Sequence, residues 1–203
     1  NLYIMTEIRQ PIKRTSIDKK QKIIKAGLKV FSEKGYYNTT TVEIAKIAGV
    51  STGIIYNYFK DKKDIFLHSL KLCFETAFTP MLNTLKQFKP PFNFDSILRE
   101  FIPLCLKAHN DNKMAHQELL GICVLDNDAG LLLQQMENQA IQSICEYLLS
   151  NGINLPHLME KTQIAYHIIE EYCHDVMLEK YYQTDFDIMF EVVITTVKNI
   201  YLQ

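Results

Sequence analysis

The chain contains few of the residues that interrupt helices and no segment that could cross a membrane. Only 7 glycines and 6 prolines occur among 203 residues, and 47% of the residues are hydrophobic. This composition is typical of a helical globular protein, and no stretch has the alternation of a half-buried strand. No run approaches the roughly 20 apolar residues that span a bilayer. Nothing resembles a secretion signal, so we expect a cytoplasmic protein without membrane contact.

The recognised catalytic motifs are also missing. The sequence lacks a phosphate-binding loop, a G-x-S-x-G nucleophile turn, an H-E-x-x-H metal motif and a dinucleotide fingerprint. We therefore expect neither an enzyme nor a bound cofactor. A small helical enzyme without a motif, or a protein-interaction module that uses its helices only for packing, remains as the alternative.

The cysteines lack the pattern of a disulfide framework or a metal site. Their number is odd, no C-x-x-C pair occurs, and each lies among apolar residues with helical spacing. These features predict reduced core thiols, because a redox-sensing thiolate needs a neighbouring positive group. The five residues are Cys73, Cys105, Cys123, Cys145 and Cys173.

Residues 39–63 have the spacing of a helix-turn-helix. Thr40 or Thr41 can cap a helix over residues 42–48, and Gly49 can take the left-handed conformation that ends it. Gly49 follows Ala45 by four residues and Ile55 follows Gly49 by six, and these are the intervals of a helix-turn-helix motif. The buried side of this helix is predicted to contain Val42, Ala45 and Ala48.

The second helix of the motif is predicted to begin at the N-cap Ser51 and to run to about Phe59. Ile55 and Phe59 lie one turn apart and should anchor it inward. The remaining side chains should face outward, where hydroxyl, amide and cationic groups reach base edges and phosphates. They are Thr52, Gly53, Tyr56, Asn57, Tyr58 and Lys60.

Charge is distributed unevenly along the chain. Residues 1–64 contain 13 Lys and Arg against 6 Asp and Glu, a net charge of +7, whereas the rest carries −8. A basic N-terminal module joined to an acidic body is expected when only one end binds a polyanion. The basic stretch from Arg9 to Lys20 is predicted to form a mobile arm that touches phosphate or lies in a minor groove. Met5 is a plausible native start, and we expect residues 1–4 not to contribute to the fold.

The N-terminal sequence resembles that of the TetR/AcrR family of transcriptional regulators. The resemblance is dense from about Ile17 to Leu67. It is carried by Gly35-Tyr36, Thr39-Thr40-Thr41-Val42, Ile44-Ala45, Ala48-Gly49-Val50-Ser51, Gly53, Tyr56, Tyr58-Phe59, Lys62 and Ile65-Phe66. It implies a homodimeric repressor whose N-terminal helices bind double-stranded operator DNA and whose C-terminal helices bind a small-molecule inducer, lipophilic or aromatic in character.

The family's DNA contacts correspond to positions in and beside the predicted motif. They are Thr40, Thr41, Ser51, Thr52, Gly53, Tyr56, Asn57, Tyr58 and Lys62. Asn57 departs from the family pattern, in which this position is often aromatic. Because an amide can pair with adenine in a bidentate contact, the base preference at this position is open.

The predicted fold is all-α with about nine helices: a three-helix DNA-binding domain over residues 1–64 and a ligand-binding and dimerisation domain over residues 65–203. A helix from near Asp61 should kink or end at Pro80 and belong to both domains. The other predicted helices span about 17–34, 94–109, 113–124, 129–150, 156–182 and 186–202. Asn127 or Asp128 is expected to cap the helix over 129–150.

The last two helices are predicted to form the homodimer interface, because their apolar stripes are wider than one core needs. A purely intramolecular core is the alternative. The stripes contain Ile164, Ile168, Ile169, Tyr172, Val176 and Met177, then Ile188, Met189, Val192, Val193, Thr196, Val197 and Ile200.

An inducer pocket should be lined by aromatic, sulfur-containing and polar side chains of the body. The candidates are Phe74, Phe78, Phe101, Cys105, His109, Met114, His116, Tyr166 and His174. His167, Glu170, Glu171 and His174 share one helix, but the two histidines lie seven residues apart and are not an i, i+4 chelating pair. We therefore expect no metal there.

Overall fold

A computed structural model describes residues 14–111, 113–180 and 183–202, with the side chains of 14, 15, 114 and 115 left out. Nine helices and no strand lie within these ranges, which confirms the all-α prediction. The helices are α1 Arg14–Lys34, α2 Thr41–Ala48, α3 Thr52–Ile55, α4 Lys62–Leu85, α5 Phe94–Asp111, α6 Lys113–Leu125, α7 Asn127–Ser150, α8 Leu158–Leu178 and α9 Phe186–Leu202. None of the helices in the described ranges is long and apolar enough to cross a membrane.

The chain divides into two compact units. The first unit comprises the described residues of Asn1–Glu75 together with Met114–Met136, and the second comprises Thr76–Lys113 together with the described residues of Glu137–Gln203. These units are defined by contacts and combine separate segments of the chain. The domain boundary between residues 64 and 65 stays a prediction.

The core of the first unit joins α1 to α4. Phe66 lies edge-on to Phe31 and Tyr36, with ring centroids 5.5 and 5.0 Å away. Gly27 permits the close approach of the two helices, because a Cβ there would lie 2.7 Å from Cγ2 of Ile65. Side chains from α2, α3, α6 and α7 complete the same buried cluster.

The second unit is built mainly from α5, α8 and α9. Ile102, Cys173 and Ile194, one from each helix, have no exposed surface. At the edge of this core, the guanidinium of Arg99 donates two hydrogen bonds, of 2.6 and 2.7 Å, to the carboxylate of Glu191. These contacts hold α5 against α9.

Several predicted helix ends were wrong. α1 begins at Arg14, so the predicted arm is helical from Arg14 to Lys20; residues 9–13 and Met5 lie outside the described ranges. α3 ends at Ile55, four residues before the predicted end. Of the predicted kink or end of α4 at Pro80, only the end is wrong, because the buried residues Met81 and Leu85 beyond it supply packing that offsets the lost hydrogen bond.

The ends of α7 and α8 also differ from the prediction. The cap of α7 is Asp126, whose Oδ1 accepts hydrogen bonds of 3.1 Å from the backbone N–H groups of Asp128 and Ala129. α8 spans Leu158–Leu178, shorter than predicted at both ends, and Glu179 follows it in the left-handed conformation.

Candidate nucleic-acid interface

A capping box begins α2. The Thr40 hydroxyl accepts a hydrogen bond of 3.3 Å from the Glu43 backbone N–H, and the Thr40 N–H donates one of 3.0 Å to Glu43 Oε2. This reciprocal pair satisfies two backbone donors that a helix start otherwise leaves unpaired. Of the two predicted caps, Thr40 is confirmed.

Glu43 also ties α2 to the end of α1. Its Oε1 accepts a hydrogen bond of 2.6 Å from Lys34 Nζ. This bond, followed by those from Thr40, lowers the pKa of the Glu43 carboxyl to about 2. The start of α2 is therefore held by a carboxylate that stays ionised at physiological pH.

We expect Thr40→Ala to lower the free energy of unfolding by about 1 kcal/mol, the usual cost of losing an N-cap side chain. Ser51→Ala is the matched control, because Ser51 precedes α3 without a side-chain capping bond. It should cost less than about 0.5 kcal/mol, as exposed substitutions usually do. Urea denaturation of both variants measures the difference, and equal costs would contradict the capping role.

The turn of the motif depends on Gly49. Its φ of 68° lies in the left-handed region, where a side chain is strained, and its N–H bonds back to the last turn of α2. Val50 N–H then donates a 3.0 Å hydrogen bond to the Ala45 carbonyl. The predicted role of Gly49 is confirmed.

Most of the predicted DNA-contacting side chains lie on one exposed face of α3 and the residues after it. Ser51, Gly53, Tyr56 and Asn57 are exposed and Thr52 is half-buried. The Tyr56 hydroxyl shares a hydrogen bond of 3.2 Å with Thr41 Oγ1, so the start of α2 orients the tyrosine. Thr40 is exposed beside them. Hydroxyl and amide groups are thereby presented together to solvent.

Two predicted orientations were wrong. Tyr58, expected to face outward, is buried, and its hydroxyl shares a 2.8 Å hydrogen bond with Ser16 Oγ of α1. Val42, expected on the buried side of α2, is 62% exposed, because that side is centred on Ile44, Ala45 and Ala48. Sequence spacing placed both residues on helices but did not define which neighbours cover them.

Lys62 is held by the backbone that leads into α2. Its Nζ donates hydrogen bonds of 2.9 Å to the carbonyls of Tyr36 and Thr39 and lies 4.4 Å from the Tyr36 ring centroid. Partial burial lowers the pKa of this amine. In the structure Lys62 therefore positions the loop before α2, and its contact with a phosphate stays a prediction.

One aromatic residue and six lysines of the first unit are also exposed; Lys60 was predicted to face outward and Lys19 to belong to the basic arm, and the others were not predicted. Tyr37 is 70% exposed directly before α2. Neither spacing nor capping chemistry distinguishes it from its neighbour Tyr36, so the sequence held no signal for it. The exposed lysines of α1, α2 and the end of the motif are Lys19, Lys22, Lys25, Lys29, Lys46 and Lys60.

Within the first unit, two aspartates at the turn between α6 and α7 form ion pairs with Lys63 at the start of α4. Lys63 Nζ lies 2.8 Å from Asp126 Oδ2 and 2.6 Å from Asp128 Oδ2. Partial burial alone would lower the pKa of Lys63, but the two aspartates raise it above its ordinary value. Glu118 of α6 lies beside Gly35, where a Cβ would approach its Oε2 to 2.9 Å.

The predicted inducer-contacting residues are divided between the two units. Phe74, Met114 and His116 belong to the first unit, and the side chain of Met114 lies outside the described part. Phe78, Phe101, Cys105, His109, Tyr166 and His174 belong to the second unit. Their contact with a ligand stays a prediction.

Within the second unit, His109 is buried beside an acidic partner. Its Nδ1 lies 2.8 Å from the Cys105 carbonyl and its Nε2 lies 3.3 Å from Glu170 Oε2. Burial alone would lower the pKa of His109, but Glu170 raises it to about 9. The His174 ring centroid is 5.1 Å from that of His109, and burial lowers the pKa of His174. The cluster thus holds one charged imidazole and one that favours the neutral form.

The sequence of the interface is similar to sequences of known proteins. Residues 23–68 match the family model of bacterial regulatory proteins, tetR family. Over 59 residues, 29% of this chain and 26% of the relative, the sequence is 51% identical to the HTH-type transcriptional regulator HbdR of Aromatoleum sp. (strain CIB). Over 86 residues, 41% of this chain and 45% of the relative, it is 36% identical to IcaR, the HTH-type negative transcriptional regulator of the icaADBC biofilm operon in Staphylococcus aureus (strain Newman).

The matched parts span less than half the length of either curated relative. The fold as a whole is similar to a solved structure from Mesorhizobium loti assigned to TetR-family transcriptional regulators. The TM-score is 0.74 at 14% identity, with 93% of this chain and 97% of that chain covered. At this identity the likeness shows the fold alone.

Proposed function

Because this chain belongs to the TetR family of bacterial regulatory proteins, we propose that it is a DNA-binding transcriptional repressor released from its operator by a small molecule. One observation carries the proposal: polar side chains of α3 and the residues after it are exposed on a motif held by the capping box and the Gly49 turn, in a unit whose α1 and α2 also expose lysines. A short helix with hydroxyl and amide groups suits base edges in a major groove, and lysines supply phosphate contacts. The similarity to IcaR, a negative regulator, supports repression rather than activation of transcription.

The individual roles follow from chemistry and exposure. Asn57 can form a bidentate contact with adenine, and Gly53 allows the helix backbone to approach the DNA. Tyr56, oriented by Thr41, is placed for a phosphate or base contact. Ser51, Thr52 and Thr40 offer hydroxyl donors, whereas buried Tyr58 contributes by holding the motif on α1.

The direct test is footprinting of the purified protein on DNA flanking its own gene, at several salt concentrations. We expect a protected site whose affinity falls steeply as salt rises, because lysine–phosphate contacts release counterions. A protein-interaction module or a small helical enzyme would show no such protection. Absence of salt-dependent binding to any flanking sequence would refute the proposed function.

We further propose a homodimer formed through α8 and α9. These helices expose apolar side chains that the core of the second unit leaves uncovered, namely Ile164 of α8 and Ile188, Val192 and Leu202 of α9. Thr196 of the predicted stripe is also exposed, and the remaining stripe residues are buried or half-buried. A twofold mate would cover the exposed part, and two DNA-binding units would double the contacts with an operator.

Ile188→Glu combined with Val192→Glu should convert the dimer into a monomer in analytical ultracentrifugation. Both side chains are more than half exposed, so the charges cost the monomer little but would be buried without partners in the interface. Val124→Glu with Leu125→Glu is the matched control, since these residues are equally apolar and even more exposed in the first unit. A dimer that survives the α9 substitutions, or is lost in the control, would contradict this interface.

For induction, we propose that a lipophilic or aromatic ligand binds among the predicted residues of the body and favours a conformation with lower operator affinity. Such coupling is typically about 1–3 kcal/mol. The ion pairs of Asp126 and Asp128 with Lys63 would transmit a shift of α6 to the start of α4. The mechanism requires that the ligand bind more weakly in the presence of operator, which calorimetry with and without DNA measures.

A further inference from the structure

Lys62, the first residue of α4, reaches back to the loop between α1 and α2. Its Nζ donates hydrogen bonds of 2.9 Å to the carbonyl oxygens of Tyr36 and Thr39 and lies 4.4 Å from the centroid of the Tyr36 ring. Only 1% of the Thr39 surface is exposed, so its carbonyl needs a partner within the protein. Two of the three ammonium donors of Lys62 are therefore engaged with the backbone of this loop.

The loop leads directly into the start of α2. Thr39 precedes the N-cap Thr40, which forms the reciprocal pair of hydrogen bonds with Glu43. The next residue, Thr41, shares a hydrogen bond of 3.2 Å with the hydroxyl of Tyr56, directly after α3. A displacement of the Thr39 carbonyl would thus reach both the cap of α2 and an exposed side chain of the DNA-binding face.

We propose that Lys62 is a positioning residue for operator binding, which acts by holding the carbonyls of Tyr36 and Thr39 rather than by binding a phosphate. The inference rests on the proposed DNA-binding function and gives Lys62 a different role from the DNA contact that the family resemblance implies. An ammonium drawn to a phosphate would leave the buried Thr39 carbonyl without this donor, and an unsatisfied buried carbonyl is costly. Other lysines of the unit, such as Lys46 and Lys60, are exposed and can neutralise phosphates instead.

The salt dependence of DNA binding separates the possible roles of Lys62. Loss of a lysine–phosphate contact makes the slope of log affinity against log salt less steep by about 0.9, or by about 1.8 for two copies in the proposed dimer. A positioning residue contributes to affinity without releasing counterions, so its loss leaves the slope unchanged. A lysine that only stabilises the fold would change neither quantity in a folded variant.

The test is Lys62→Met, which removes the ammonium but keeps an unbranched side chain. We expect this variant to bind the duplex protected in the footprinting experiment about 10-fold or more weakly at every salt concentration, with the slope of the wild type, because the start of α2 is disturbed in both copies. Fluorescence anisotropy from about 50 to 200 mM salt measures affinity and slope. Circular dichroism establishes that the variant is folded.

Lys62→Arg is a second variant, which keeps the positive charge. The donors of a guanidinium are spread over a plane, whereas the ammonium of Lys62 places a point charge between two carbonyls. We expect Lys62→Arg to bind DNA as weakly as Lys62→Met, whereas arginine would restore a phosphate contact. This variant keeps the test valid if Lys62→Met does not fold.

Lys71→Met is the matched control. Lys71 is an exposed lysine of the same helix, with its Nζ 3.8 Å from Glu75 Oε1, and its loss should leave affinity and slope unchanged. Absence of DNA binding by the wild type would refute the proposed function and this inference together. If the wild type binds, the positioning role alone is overturned by a flatter slope or an unchanged affinity of Lys62→Met, by wild-type affinity of Lys62→Arg, or by an equal loss in Lys71→Met.

Discussion

Gly53→Leu should weaken operator binding by about 30-fold or more without lowering the stability of the free protein. Gly53 is exposed in α3, and a Cβ at this position would meet no atom within 4 Å, so the isolated protein accommodates a larger side chain. Leucine is also a better helix former than glycine. In the proposed complex the same side chain would hold the helix away from the major groove.

The size of the effect follows from having two copies in the proposed dimer. A single disrupted base-pair contact typically costs about 1–3 kcal/mol in protein–DNA complexes, so two copies lose about 2–6 kcal/mol. Each 1.4 kcal/mol corresponds to a tenfold change in affinity. Fluorescence anisotropy with a labelled operator duplex measures the loss.

Gly121→Leu is the matched control for this experiment. Gly121 is an exposed glycine of α6 in the same unit, and a Cβ there also meets nothing within 4 Å. The substitution is therefore chemically identical but lies outside the proposed interface. If both variants bind DNA as the wild type does, α3 is not in contact with the operator; if both lose binding equally, the effect is not specific to α3.

Glu170→Gln should destabilise the protein strongly at pH 6 and only slightly at pH 10. The pKa of His109 is raised to about 9 in the folded protein, whereas an unfolded histidine has a pKa of about 6.5. The protonated pair therefore contributes its full stabilisation below pH 6.5 and loses it as the pH rises through 9. A shift of this size corresponds to a contribution on the order of 3 kcal/mol.

The measurement is urea denaturation of wild type and variant from pH 6 to pH 10. Glu171→Gln is the matched control, because Glu171 is the next residue of α8 but is 60% exposed and paired with Lys180. An exposed pair of this kind should contribute less than about 1 kcal/mol. A cost of Glu170→Gln that is equal at pH 6 and pH 10 would show that His109 is not the group that Glu170 stabilises.

Local chemistry accounts for the parts of the fold and candidate site that could be predicted. The cap at Thr40 and the left-handed Gly49 depend on bonds between residues at most four positions apart, apart from the reach of Lys34 to Glu43. Helical spacing and low glycine and proline content likewise led to the correct fold class. The family resemblance over the same segment was correct for the same reason, since its motif residues are those that form the turn and caps.

Predictions failed where a distant segment decides the environment of a side chain. Ser16 of α1 and the surrounding core bury Tyr58, which spacing alone placed on the outer face. Packing of Met81 and Leu85 carries α4 through Pro80, so of the predicted kink or end at this residue the end does not occur. A helical wheel identifies one apolar side but does not identify every neighbour that covers a helix.

The amino-acid sequence by itself determined the helix-turn-helix, its basic character and the all-α class, because capping, turn conformation and periodicity act over a few residues. Only the tertiary structure brought Asp126 and Asp128 to Lys63, Glu170 to His109, and Met81 to Cys105. These partners lie between 24 and 65 residues apart in the chain. Nothing local to either partner of such a pair specifies the other, since folding alone brings them within bonding distance.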